Sequence, residues 1–65
     1  MQITLNGEQI DIEQKTLLRL IVDMGLESKV MAAAINMQVV KKEDWDKALL
    51  KEGDKIELLQ FVGGG

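Results

Sequence analysis

An Asn-Gly pair between two alternating segments constrains the start of this chain more than any other feature. Residues 1–6 alternate between apolar and polar side chains, and residues 8–13 alternate again. This period is typical of half-buried strands. Asn6-Gly7 favours a two-residue turn, because both residues tolerate positive φ. The chain therefore opens with a β-hairpin that needs a partner for its apolar face. The side chains of that face are Ile3, Leu5, Ile10 and Ile12.

Apolar residues at helical spacing follow the hairpin. Thr16 is placed to cap a helix N-terminus, because its hydroxyl can accept from an amide of the first turn. Gly25 suits the left-handed position that ends a helix, and Leu26 would then pack back on Ile21 in a Schellman motif. We therefore predict a helix over 17–24, packed on one face of a sheet. The side chains predicted to pack are Leu17, Leu20, Ile21 and Met24.

The second half of the sequence predicts short strands separated by turns. In chain order these are a strand over 31–35, a turn over 36–38, a short strand from 39, a short helix or 3₁₀ turn within 41–50, a turn over 52–54 and a last strand over 56–62. Trp45 and Leu49, with Ala48 beside them, fall on one face of the short helix. Trp45 is expected to pack in the core or at its edge. A hairpin, a helix and further strands in this order predict an α+β fold with the helix on one sheet face.

Composition limits what this domain can do. The 65 residues contain no cysteine and no histidine, so we predict no catalytic residue, no metal site and no cofactor. The net charge of −3 argues against nucleic acid and against an anionic membrane as partners. The apolar runs are too short to span a membrane and the N-terminus lacks the pattern of a signal peptide, so a cytoplasmic protein is expected.

Three consecutive glycines, Gly63, Gly64 and Gly65, end the sequence. They have no Cβ and high backbone entropy, so they add nothing to a packed core. They form either an inert frayed end or a segment that threads a narrow enzyme channel because it has no side chains. In the second case the α-carboxylate of Gly65 is the reacting group. We predict one domain over 1–62 followed by a flexible tail over 63–65.

The last predicted strand is apolar on both sides. Ile56 and Leu58 fall on one side, and Leu59 and Phe61 fall on the other. One helix cannot cover both faces of a sheet in so short a chain. An exposed apolar patch beside the tail would mark a protein contact, whereas a bulge could instead turn Phe61 inward. We predict that Leu59 and Phe61, together with the adjoining Val62, bind a partner.

Several short motifs, in an order that covers essentially the whole chain, resemble one family. They are Ala34-Ile35-Asn36, Val40 followed by Trp45, the run Gly53-Asp54-Lys55-Ile56-Glu57, and the closing Phe61-Val62-Gly63-Gly64-Gly65. With the hairpin–helix–strand order they resemble the ThiS family of thiamin-biosynthesis sulfur carriers. Such proteins often carry glycine in the turn after Asn36, and here Met37 stands there. That departure bears on the local turn type and not on the tail.

The resemblance implies a ubiquitin-like β-grasp fold, a mixed sheet of four to five strands with the last strand central beside the first. It also implies a carrier that is not itself an enzyme. An E1-like adenylating enzyme would activate the carboxylate of Gly65 with ATP and magnesium. Sulfur from a cysteine desulfurase system would then convert the adenylate to a thiocarboxylate, which would donate sulfur to thiazole synthase.

Three alternatives stay open at the level of sequence. The small subunit of molybdopterin synthase is similar in fold, tail and chemistry, although that family tends to be longer. A ubiquitin-like modifier would use the same tail for attachment to protein lysines. A β-grasp binding module with an inert tail would use no carboxylate chemistry at all. The short length, Trp45 and the Phe61-Val62 approach to the glycines favour the ThiS family.

Overall fold

Pairing between the first and last strands organises the molecule. The structure, a computed structural model, describes residues 1–60. Within them lie β1 (Gln2–Leu5), β2 (Glu8–Asp11), α1 (Leu17–Asp23), β3 (Val30–Ile35), β4 (Gln38–Val40), a 3₁₀ helix (Lys42–Asp44) and β5 (Lys55–Gln60). The five strands form one sheet in the order β2-β1-β5-β3-β4. β1 and β5 run parallel and the other neighbours run antiparallel. The predicted mixed sheet with a central last strand is confirmed.

Two tight hairpin turns join the outer strands to their neighbours. Asn6 and Gly7 have φ values of 48° and 86°, as the Asn-Gly signal predicted. Asn36 and Met37 repeat this arrangement between β3 and β4, with φ values of 50° and 71°. Ile35 pairs directly with Gln38, so the turn itself has two residues and Gln38 belongs to β4. Met37 thus adopts the left-handed conformation that glycine would supply at the same position.

The ends of α1 are capped as the sequence predicted. The Thr16 hydroxyl accepts a hydrogen bond from the backbone N–H of Arg19 at 3.2 Å. At the other end the N–H of Gly25 donates to Val22 at 2.9 Å, and the N–H of Leu26 donates to Ile21 at 3.0 Å. These two bonds, with Gly25 at φ 73°, are those of a Schellman motif.

The core lies between α1 and one face of the sheet. Leu17, Leu20 and Ile21 of α1 are buried, as predicted. Trp45 is also fully buried, and its indole Nε1–H donates to the Val40 carbonyl at 3.0 Å. Ile10 is only partly buried against this cluster. The other buried apolar residues are Ile3, Leu5, Ile12, Val30, Ala33, Leu50, Ile56 and Leu58.

One predicted core position and one predicted helical position are wrong. Met24 is 42% exposed, because α1 ends at Asp23 and the chain turns at Met24, so that Leu26 packs against the core instead. Leu49 was predicted to share a helical face with Trp45, but it is 67% exposed, because the chain leaves its turns before Leu49 and forms an isolated bridge there with Thr16. Side chains alternate in an extended segment, so the neighbouring Leu50 is the buried residue.

Candidate functional site

Strand β5 leads directly into the segment predicted to react, so its two sides set the surroundings of any chemistry there. Ile56 and Leu58 are buried against the core, whereas Glu57 and Leu59 are exposed. This alternation confirms the predicted division of the strand into a core side and an outer side. Leu59 is 60% exposed on the sheet face opposite α1.

The neighbours of Leu59 on that face come from β3 and β4. The register places Ala32 opposite Leu59, and Ala34 opposite both Glu57 and Val39. The two alanines are small, so they leave a shallow depression between Leu59 and Val39, and Val39 is 75% exposed. We define the outer face as the five residues Ala32, Ala34, Val39, Glu57 and Leu59.

A second depression lies beside the first. It is lined by Thr4, Gly7, Met37 and Lys55, and Glu57 borders both depressions. The two depressions together expose apolar side chains beside one carboxylate, Glu57, and one cation, Lys55. Leu59 was predicted from the sequence and Val39 was not, although the Val39-Val40 pair at the start of a predicted strand required one of the two to point outward.

Backbone groups of β5 are also bonded by two asparagine side chains. Asn6 Oδ1 accepts from the N–H of Leu58 at 2.8 Å, and Asn36 Oδ1 accepts from the N–H of Lys55 at 3.0 Å. Asn36 was interpreted only as a turn former, and it also donates through Nδ2 to the carboxylate of Asp54 at 2.9 Å. Asp54 is buried and accepts a second bond from the N–H of Lys51 at 2.8 Å.

The remaining predicted site residues lie outside the described part of the chain. These are Phe61, Val62, Gly63, Gly64 and Gly65. The domain boundary predicted at residue 62 and the predicted flexibility of the tail fall there as well. Within residues 1–60 no group of three or more acidic side chains could hold a metal ion. In the same residues no helix is long and apolar enough to cross a membrane.

Comparison with known proteins gives one family. The model of the ThiS family matches residues 3–65. The sulfur carrier protein ThiS of Escherichia coli is 32% identical over 66 residues, covering all of both chains. The crystal structure of a thiamine biosynthesis protein (ThiS) from Geobacter metallireducens superposes with a TM-score of 0.81 at 27% identity, again over the full length of both chains.

Longer proteins match as well. A thiazole synthase of Paramagnetospirillum magneticum is 30% identical to this chain over 66 residues, and one of Magnetococcus marinus is 36% identical. The chain is covered completely in both comparisons, but it spans only 20% of the length of these two relatives. Each of them thus contains a segment similar to the whole of this chain.

Proposed function

Because this chain belongs to the ThiS family, we propose that it is a sulfur carrier protein of thiamin biosynthesis whose reacting group is the carboxylate of Gly65. One observation carries the proposal: the family match extends from residue 3 through the three glycines to residue 65. The similarity therefore includes the segment that would carry sulfur as well as the fold. It also favours this family over the small subunit of molybdopterin synthase.

The chemistry needs no catalytic side chain from the carrier. A carboxylate is a poor electrophile, and adenylation converts one of its oxygens into part of a good leaving group. In this step the carboxylate of Gly65 attacks the α-phosphate of ATP and releases pyrophosphate. The terminal sulfur of a persulfide on the donor then attacks the acyl carbon, and AMP leaves. A thiol reductant cleaves the resulting acyl disulfide, which frees the thiocarboxylate and the donor thiol and leaves the reductant as a disulfide. The carrier is thus a co-substrate of other enzymes, in keeping with a chain that lacks cysteine and histidine.

Three partners follow from this scheme. An E1-like adenylating enzyme would use ATP and magnesium as its own substrates, and a cysteine desulfurase system would supply sulfur. Thiazole synthase would receive the sulfur. The two long relatives named thiazole synthase support the last partner, because each includes a segment similar to this chain. If a sulfur carrier must bind thiazole synthase, a carrier-like segment and the synthase are expected to occur together in one polypeptide in some relatives.

We propose that the carrier docks on the adenylating enzyme through the outer face around Leu59, extended by Phe61 and Val62. Apolar patches that remain exposed on a small domain are typical of protein contacts. Leu59 lies on the strand that precedes the tail, so contact there would bring Gly65 toward the nucleotide. Glu57, exposed between the two depressions, would suit a cationic side chain of the partner.

Intact-mass spectrometry tests the proposal. The full chain is incubated with an E1-like adenylating enzyme, ATP, magnesium, a cysteine desulfurase, cysteine and a thiol reductant. We expect its mass to rise by the difference between a sulfur and an oxygen atom. Omission of ATP should abolish the change, and so should deletion of Gly64 and Gly65. If the mass of the full chain stays constant while a known carrier is converted under the same conditions, the proposed function is wrong.

A substitution in the tail adds a graded test. Gly64→Val should slow pyrophosphate exchange, because a branched side chain restricts φ and would clash in a channel shaped for glycine. Gly64→Ala is the matched control and should retain more activity, since it adds only a Cβ. Equal exchange by wild type and Gly64→Val would contradict the idea that the tail threads a narrow channel.

A further inference from the structure

Both hairpin turns of the sheet begin with an asparagine in the left-handed region. Asn6 has φ 48° and Asn36 has φ 50°. Asn6 directly follows β1 and Asn36 directly follows β3, and these two strands flank β5 on either side. The same residue type therefore stands at the same turn position on both flanks of the strand that leads to the tail.

Each asparagine side chain takes the place of a backbone carbonyl in the strand ladder. Asn6 follows the pair Leu5–Ile56, and its N–H donates to the Ile56 carbonyl at 2.8 Å as a ladder residue would. Asn6 Oδ1 accepts from the N–H of Leu58 at 2.8 Å, where a regular parallel ladder would use the backbone carbonyl of Asn6. The parallel ladder is thereby extended by one residue beyond the end of β1.

Asn36 does the same on the other flank. Its N–H donates to the Lys55 carbonyl at 2.7 Å, and its Oδ1 accepts from the Lys55 N–H at 3.0 Å. The two asparagine side-chain bonds differ in their distance along the chain from the tail. Asn36 holds the first residue of β5, whereas Asn6 holds Leu58, which lies two residues before the strand ends at Gln60. On the β1 flank of the described residues, this bond lies farther toward Gln60 than the pairs Thr4–Lys55 and Leu5–Ile56.

We propose that Asn6 is a positioning residue for the carrier reaction: it fixes the β1 flank of β5 near the end of the strand, while β3 pairs with the other flank as far as Gln60. The two flanks together would set the direction in which the tail leaves the domain. The inference rests on the proposed function, because a direction matters only if Gly65 must reach an active site. Asn6 touches no reacting atom. Its effect on the tail passes through the N–H of Leu58. Asn6 also lines the depression of the outer face, so a role in docking would raise KM, whereas a role in positioning lowers kcat.

Three variants of the full chain separate positioning from stability. Asn6→Gly keeps a two-residue turn with positive φ and removes the acceptor for Leu58. Asn6→Asp keeps both the turn and an acceptor oxygen. Asn36→Gly keeps its turn but loses the bond to Lys55 and also the bond to Asp54, so it should destabilise the domain at least as much as Asn6→Gly.

Amide exchange and adenylation kinetics are then measured well below the melting temperature of every variant. In Asn6→Gly, amide exchange at Leu58 should accelerate by about fivefold, as the loss of one hydrogen bond allows. The kcat of pyrophosphate exchange with the adenylating enzyme should fall by roughly tenfold through misplacement of the tail, with KM within about twofold. Asn6→Asp should stay close to wild type, and Asn36→Gly should keep its kcat within about twofold despite its lower stability.

The outcomes distinguish failure of the positioning role of Asn6 from failure of the proposed function. If Asn36→Gly loses as much kcat as Asn6→Gly, the defect follows stability and the positioning role is wrong. A wild-type kcat in Asn6→Gly would overturn it equally. In either case the proposed function would stand, because the wild-type chain is adenylated. An adenylating enzyme that does not accept the wild-type chain at all would overturn the proposed function, and with it this inference.

Discussion

Met37 shows how one residue can conflict locally with a turn that the fold requires. Its φ of 71° lies in the left-handed region, where a side chain with a Cβ costs about 1–2 kcal/mol. The side chain is 85% exposed, so packing returns little of that energy. The hairpin forms nonetheless, because β3 and β4 pair on both sides of it. The pairing of β3 with β4 thus sets the turn type, and Met37 adopts the left-handed conformation that this turn requires.

Substitution of Met37 by glycine should therefore stabilise the domain. We expect Met37→Gly to raise the free energy of unfolding by about 0.5–1 kcal/mol, since relief of the left-handed strain exceeds the entropy that glycine adds to the unfolded chain. Urea denaturation measures the change. Met37→Ala is the control, because it removes the same side chain but keeps the Cβ. A gain in Met37→Ala as large as in Met37→Gly would show that side-chain removal, and not strain, is responsible.

Asp54 is a buried carboxylate whose role is structural. It accepts from Asn36 Nδ2 at 2.9 Å and from the N–H of Lys51 at 2.8 Å. Asp54→Ala leaves both donors without this acceptor, and we expect a loss of about 1–3 kcal/mol in the free energy of unfolding. Glu52→Ala, at an exposed position of the same turn, removes only a solvent-exposed acceptor for the N–H of Gln2 and should change stability less. A small effect of Asp54→Ala would indicate that water reaches both donors.

Sequence alone could not have found this contact. Gly53-Asp54 was interpreted as a turn, and that much is confirmed. The bond between residues 36 and 54, however, depends on the antiparallel register of β3 and β5. Register arises from tertiary pairing, whereas local turn chemistry can be read from neighbouring residues.

At the scale of elements, signals within a few residues of each other predicted the structure well. The Asn6-Gly7 turn, the Thr16 cap and the Gly25 stop are all confirmed, because each rests on local backbone preference. Position within an element was less predictable near its ends. Met24 has the spacing of a core residue, but α1 ends before its side chain can reach the core. Leu49 was assigned with a helical period, but it lies beyond the 3₁₀ helix and its turns and forms an isolated bridge with Thr16.

Helix α1 offers the direct test of the predicted core. Leu20 is buried between α1 and the sheet, so Leu20→Ala should lower the free energy of unfolding by roughly 2–5 kcal/mol through lost transfer energy and the cavity left behind. Met24→Ala is the control on the same helix end and should cost far less, because Met24 is half exposed. Chemical denaturation gives both values. A loss below about 1 kcal/mol for Leu20→Ala would mean that the core tolerates this cavity unusually well.

At the scale of the whole molecule, one short helix leaves half of the sheet uncovered. α1 packs on one face, and the opposite face keeps Val39 and Leu59 exposed. The two-sided pattern of β5 predicted this exposure from sequence. The contribution of Ala32 and Ala34 to the depression on this face could not be predicted, because it depends on which residues the register places beside Leu59. The sheet thus presents an apolar surface on the strand that precedes the segment proposed to react.

Substitution on that surface tests whether it docks the adenylating enzyme. Leu59→Ser should fold with near-wild-type stability, because Leu59 is mostly exposed, and Phe61→Ser is expected to behave alike. Burial of one such side chain in a partner contributes about 1.5–3 kcal/mol before association costs, so KM for the adenylating enzyme should rise by about tenfold. Leu49→Ser is the matched control: Leu49 is as exposed as Leu59 but lies in the segment paired with Thr16, so KM should not change. Equal KM values for Leu59→Ser and Leu49→Ser would place the docking surface elsewhere, and unfolding of Leu59→Ser would make this residue part of the core.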